Sequence, residues 1–179
     1  MTEANEAAVD QDALQEMIAE ADTGARNPVG TIPKKVLFYV PLAWTIFQLW
    51  YASPLPFIFN ILVFNSSEAR AIHLAFAIFL SYTAFPTLKS SPKDYIPIQD
   101  WIIAFIGAFC AAYIFLFYAE LAERPGNPTT LDLVIAVCGL VLLLEATRRA
   151  LGPPLMVVAS VFILYTFLGP HMPDVIAHK

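Results

Sequence analysis

Hydrophobic residues in this chain fall in long runs, separated by short polar or proline-rich breaks. The most sharply bounded run covers residues 131–155. Pro128-Thr129-Thr130, with Asp132 three residues after Thr129, is a helix-start signal, since a side-chain oxygen accepts orphan amide protons and the acid favours the positive helix end. The far end carries Glu145, Arg148, Arg149, Gly152 and Pro153-Pro154: one acid, two cations, a C′ glycine and two breakers. At about 1.5 Å per residue, the roughly 20 residues to Ala150 reach about 30 Å, the hydrocarbon thickness of a bilayer. This pattern predicts a membrane-spanning helix.

The same pattern recurs upstream. Residues 36–64 are nearly all apolar, but Ser53-Pro54-Leu55-Pro56 cannot sit inside a helix, so a first span ends near Ala52. Residues 57–64 are then too short to cross and are expected at an interface or against the bundle, with Trp50 and Tyr51 in an aromatic belt. A second span is predicted over 69–88, with Arg70 and His73 in its first turns and Pro86 at its end. A third runs from Trp101 to about Leu121, with Gly107, Ala108, Ala111 and Ala112 as a small-residue face for close packing. Glu120 to Asn127 form a short turn into the 131–155 run. A fifth apolar run, 155–168, stops at Gly169-Pro170 and is short for a crossing. The expected fold is all-α: a polytopic membrane bundle of four spans plus a fifth apolar connecting helix. Its expected divisions are an acidic, partly disordered cytoplasmic leader (1–32), a four-span domain (33–152), and a connecting helix with an outward tail (153–179).

Composition agrees with a lipid solvent: 58% of residues are hydrophobic and 14% charged, against roughly 45–50% and about 25% in ordinary soluble domains. The net charge of −5 is carried by the leader, where seven of the fifteen acids precede the first base, Arg26. Within the leader Val9, Ala13, Met17 and Ala21 recur at helical spacing, a weakly amphipathic stretch in a solvated tail. With the N-terminus inside, Arg26, Lys34, Lys35, Lys89, Lys93, Arg148 and Arg149 are cytoplasmic, and Arg70, Arg124 and Lys179 are outside. Seven bases against three satisfy the positive-inside rule. No secretory signal is legible in the first thirty residues.

Groups able to do chemistry are sparse. Glu145 with Arg148 and Arg149 at i+3 and i+4 places one acid and two bases on one helix face, either a self-neutralising anchor or a polar contact to a neighbouring helix or subunit. A proton-carrying acid would be expected nearer mid-membrane. His73 is the only histidine in a span, so a haem between helices lacks a second axial ligand, and Arg70 three residues earlier favours a hydrogen-bonded helix end. Cys110 and Cys138 sit in apolar runs and read as small hydrophobes. No G-x-S-x-G, H-E-x-x-H or phosphate loop occurs. Catalysis, a cofactor, a metal site and a nucleic-acid partner are not expected.

Four strings resemble a known family: Arg70-Ala71-Ile72-His73-Leu74-Ala75-Phe76; Arg124-Pro125-Gly126-Asn127-Pro128-Thr129-Thr130-Leu131-Asp132; Leu144-Glu145-Ala146-Thr147-Arg148-Arg149-Ala150-Leu151-Gly152; and Tyr165-Thr166-Phe167-Leu168-Gly169-Pro170-His171-Met172-Pro173. Together they are similar to the N-terminal part of fused TRAP transporter permeases, four-plus-twelve-span proteins that usually work with a TAXI-type periplasmic binding protein. The resemblance covers about residues 35–179. It implies a small membrane domain in the bacterial inner membrane. That domain would brace a large permease domain, fused or separate, which carries an organic acid inward on a cation gradient. Glu145, Arg148 and Arg149 become candidates for the inter-domain contact, and Glu68, Arg70, Glu123 and Arg124 for a contact with the periplasmic binding protein. The alternatives are an autonomous small oligomeric exporter and a membrane anchor for a redox complex.

Overall fold

The computed structural model describes residues 24–88 and 91–168, which form seven helices and no strand. They are α1 (Thr31–Ala52), α2 (Leu55–Phe59), α3 (Ser66–Ala84), α4 (Ile98–Leu116), α5 (Tyr118–Glu123), α6 (Thr130–Leu151) and α7 (Pro153–Leu168). The amphipathic stretch of the leader, Lys89, and everything from Gly169 onward lie outside the described residues.

Local chemistry accounts for most of the boundaries. α1 runs through Pro41 and stops where Ser53 closes it, the Ser53 N–H donating to the carbonyls of Leu49 and Trp50 at 3.1 and 3.2 Å. Residues 57–64 contain no crossing: five residues make α2, Asn60 turns left-handed with φ 52°, and the chain returns to α3. α3 begins three residues earlier than the apolar run suggests, because Asn65 and Glu68 form a capping box. The amides of Ser67 and Glu68 both donate to Asn65 Oδ1 at 2.9 Å, and the Asn65 amide donates to Glu68 Oε2 at 2.8 Å. The third apolar run is divided, α4 ending at Leu116 and α5 following after Phe117. The predicted start of α6 is met by Thr129 as N-cap, with Asp132 completing the box. Gly152, at φ +86°, ends α6, and Pro153 opens α7 directly. The two prolines are thus the first turn of the next helix, where a missing N–H costs nothing.

α3, α4 and α6 pack into the central three-helix unit, with α1 laid against α3 and α7 against α6. The core is built from Ile78 and Tyr82 of α3, Ala104 and Ala111 of α4, and Ala146 of α6. Small residues on α4 set the closeness: a Cβ on Gly107 would lie 2.7 Å from Ile78 Cγ2. α1 holds on through aromatic contacts, Trp44 stacking on Phe76 with centroids 6.2 Å apart.

Two helices, α4 with 19 residues and α6 with 22, are long and apolar enough to cross a membrane. The core helix of a soluble protein passes the same test, but such a helix is mostly covered. Here the bundle buries 28% of the most apolar stretch of α4 and 11% of that of α6. Leu133, Val137 and Val141 of α6 all face outward. Apolar surface on this scale needs lipid or another protein over it, which points to membrane association. α1 and α3 match them in length but carry Lys34 and Lys35, and Glu68, Arg70 and His73. α7, with 16 residues, is apolar all round and reaches only about 24 Å.

Candidate functional site

Polar side chains collect at the two ends of the three-helix unit. The larger cluster lies where α3 and α6 finish and α4 begins. The i+3 and i+4 spacing places both arginines on Glu145. Arg148 donates through Nε and NH2 to Glu145 Oε2 and Oε1, both at 2.7 Å, and Arg149 Nε donates to Oε1 at 2.9 Å. Arg148 also reaches beyond α3 to the carbonyl of Thr87 at 3.0 Å. Arg149 turns inward. Its side chain is 4% exposed, its NH1 donates to Asp100 Oδ1 at 2.9 Å, and its guanidinium lies over the Tyr82 ring, 4.5 Å from the centroid. Tyr82 in turn donates its hydroxyl proton to the carbonyl of Leu142 at 2.8 Å.

Two members of this cluster had no sequence signal strong enough to single them out. Asp100, in the first turn of α4, is buried and accepts from Arg149 on one oxygen and from Arg26 on the other. Arg26 belongs to the segment before α1, and its side chain is fully covered. It donates through NH1 to the carbonyls of Tyr82 and Thr83 at 3.0 and 3.3 Å, groups left open at the end of α3. The strand of chain around it is stitched down as well: Arg26 N–H to the Ala84 carbonyl (2.7 Å), Asn27 N–H to that of Lys93 (3.1 Å) and Val29 N–H to that of Asp94 (2.8 Å). No spacing rule links residues 74 positions apart, and only the fold brings Arg26 to Asp100.

Three guanidinium groups thus share two carboxylates, and the charges tie the pre-α1 segment, α3, α4 and α6 to one another. Each acid accepts from two arginines, so the arrangement holds its members in place. It offers neither a poised base nor a nucleophile.

The opposite end has a smaller cluster around Asp132. Its Oδ1 accepts from the Tyr113 hydroxyl at 2.7 Å, Arg124 NH1 lies 3.1 Å from Oδ2, and the Thr129 amide donates to Oδ2 at 2.7 Å. The acid that starts α6 therefore also clamps the α5–α6 turn to α4. Of the residues expected to face a periplasmic partner, Glu68 caps α3, Arg124 pairs with Asp132, and Arg70 and Glu123 are exposed. His73 is engaged from α1, its Nδ1 lying 3.0 Å from Gln48 Nε2 and 3.3 Å from Trp44 Nε1. Cys110 and Cys138 are free thiols. Comparison of the chain with protein-family models, characterised proteins and solved structures yields no match.

Proposed function

We propose that this chain is a non-catalytic scaffold in the membrane. In this reading it is the small domain of a TRAP-type transporter, bracing a large transport domain during cation-coupled uptake of an organic acid delivered by a periplasmic binding protein. The observation that supports the reading is the ionic network at the Arg149 end. It fixes α3, α4 and α6 against sliding, as a brace requires, and leaves the outer faces of α1, α6 and α7 apolar. The identity of the braced domain comes from the resemblance of the four strings.

In this reading α1, α3, α4 and α6 all cross, the N-terminus is cytoplasmic, and α7 leads the chain outward toward the large domain. Lys34 and Lys35 reach the inner interface along their own stems, and Glu68, Arg70 and His73 lie in the first turns of α3, toward the outer interface, while Tyr82 and Thr83 at its other end are covered by the bundle. The Arg149 cluster then lies at the cytoplasmic face and the Asp132 cluster at the periplasmic face. A cysteine introduced for Arg124, in a chain lacking Cys110 and Cys138, is expected to react with an impermeant maleimide from the periplasmic side of intact cells. Labelling only from the cytoplasmic side would overturn this topology.

The bracing role is tested by co-purification of the chain with the large permease domain. Glu145 and Arg148 are each about a third exposed (30% and 27%), whereas Arg149 is covered. The inter-domain contact therefore falls to Glu145 and Arg148, with Arg149 holding them from inside. Glu145→Ala is expected to lower recovery of the large domain several-fold while leaving substrate preference unchanged. Undiminished recovery with altered selectivity would refute the brace. So would accumulation of a solute by vesicles that contain this chain alone.

A further inference from the structure

Arg70 stands in the second turn of α3, exposed, and among the described residues no carboxylate pairs with it. It is also the one residue that borders two grooves described here. On one side, between α3, α4 and α6, a groove of about 500 Å³ continues from Arg70 along Leu74, Ile78, Ala111, Ile114, Ala136 and Leu140. On the other, between α1 and α3, a groove of about 560 Å³ is bordered by Gln48, Tyr51, Ser66 and His73. Trp44 Nε1 at 3.3 Å and Gln48 Nε2 at 3.0 Å from His73 Nδ1 hold the imidazole at the edge of this second groove. Tyr51 and Ser66 bring hydroxyl groups to the second groove, and Arg70 brings its guanidinium.

We infer that Arg70 binds the phosphate of an anionic glycerophospholipid, with one acyl chain in the α3–α4–α6 groove and a hydroxylated head group in the α1–α3 groove. The inference rests on the membrane location of the chain and is independent of its role as a transporter brace. The first groove is charged at one end and apolar beyond. From Arg70 to Ile78 it follows α3 for about 12 Å, most of one leaflet's half of a hydrocarbon core about 30 Å thick. A cation at the interface end of such a groove matches a phosphate above its own acyl chain. The second groove has no carboxylate in its lining. An ammonium head group gains no counter-charge there, whereas glycerol hydroxyls and a net negative charge meet donors.

Native mass spectrometry of the chain released from mild detergent, titrated with dioleoyl phosphatidylglycerol or dioleoyl phosphatidylethanolamine, tests this. The expected result is one retained phosphatidylglycerol, bound about tenfold more tightly than phosphatidylethanolamine. Arg70→Gln should remove that preference and Arg70→Lys restore part of it. Ala136→Phe, which fills the apolar groove from an exposed position, should weaken both lipids alike. Affinity for phosphatidylglycerol unchanged in R70Q and A136F would overturn the inference, as would its displacement by equimolar inorganic phosphate. Loss of large-domain recovery in A136F with lipid binding intact would assign the groove to protein and overturn it too. A chain that needs detergent yet shows no lipid preference fails this inference alone, whereas one soluble without detergent fails the membrane reading as well.

Discussion

Replacing Asp100 by alanine should destabilise the bundle by about 3–5 kcal/mol, the usual cost of removing one partner from a buried ion pair. Arg149 would keep Glu145, but Arg26 would lose the one carboxylate it reaches among the described residues. Its covered guanidinium would be left with two backbone carbonyls. Neutral carbonyls compensate a buried charge poorly, so the stitched segment around Arg26 should detach before the helices separate. In detergent, the expected reading is a fall in midpoint of about 10 °C for Asp100→Ala and clearly less for Asp100→Asn, which keeps an acceptor while losing the charge. Hydrogen exchange at the amides of Arg26, Asn27 and Val29 should quicken in both variants. The double variant Arg26→Met/Asp100→Ala should recover part of the loss, since no unpaired charge then remains covered. A network that mattered only as surface decoration would shift the midpoint by a degree or two and show no coupling between the two sites.

The contrast between Glu145 and Asp100 shows where sequence stops informing. A contact between residues three or four apart on a helix is set by helical geometry alone. Glu145, Arg148 and Arg149 could therefore be placed together from spacing, as could Thr129 with Asp132. Asp100 and Arg26 meet only because the segment before α1 is laid over the end of α3, beside the start of α4. Helix boundaries followed the same division. The stop at Ser53 and the start at Thr129 depend on neighbouring residues and were legible. The capping box at Asn65 was equally local, but the apolar run beginning at Ala69 obscured it. The break at Phe117 has no proline or glycine to mark it. The Pro153-Pro154 pair could be read as ending one helix, though not as opening the next, because proline is equally suited to both positions.

The closeness of α3 and α4 has its own test at Gly107. A Cβ there would stand 2.7 Å from Ile78 Cγ2, a distance carbon atoms do not tolerate, so either the helices part or Ile78 leaves its rotamer. Alanine is also the better helix former by about 1 kcal/mol, and Gly107→Ala sets that gain against an overpacking cost of about 1–3 kcal/mol. The net expectation is a modest loss for Gly107→Ala and a larger one for Gly107→Leu, whose whole side chain must enter the α3–α4 seam. Ile78→Leu moves the branch from Cβ to Cγ and so removes the clashing methyl at nearly constant volume. Gly107→Ala with Ile78→Leu should then be more stable than the two single changes predict, by at least about 1 kcal/mol in a double-mutant cycle. Gly139→Ala is the milder comparison, because its Cβ would meet Cys110 Cβ at 3.2 Å, which asks for only a few tenths of an ångström of movement. If the Gly107 and Ile78 changes prove additive, the two helices do not touch there. The small-residue face of α4 would then owe its composition to something other than close packing on α3.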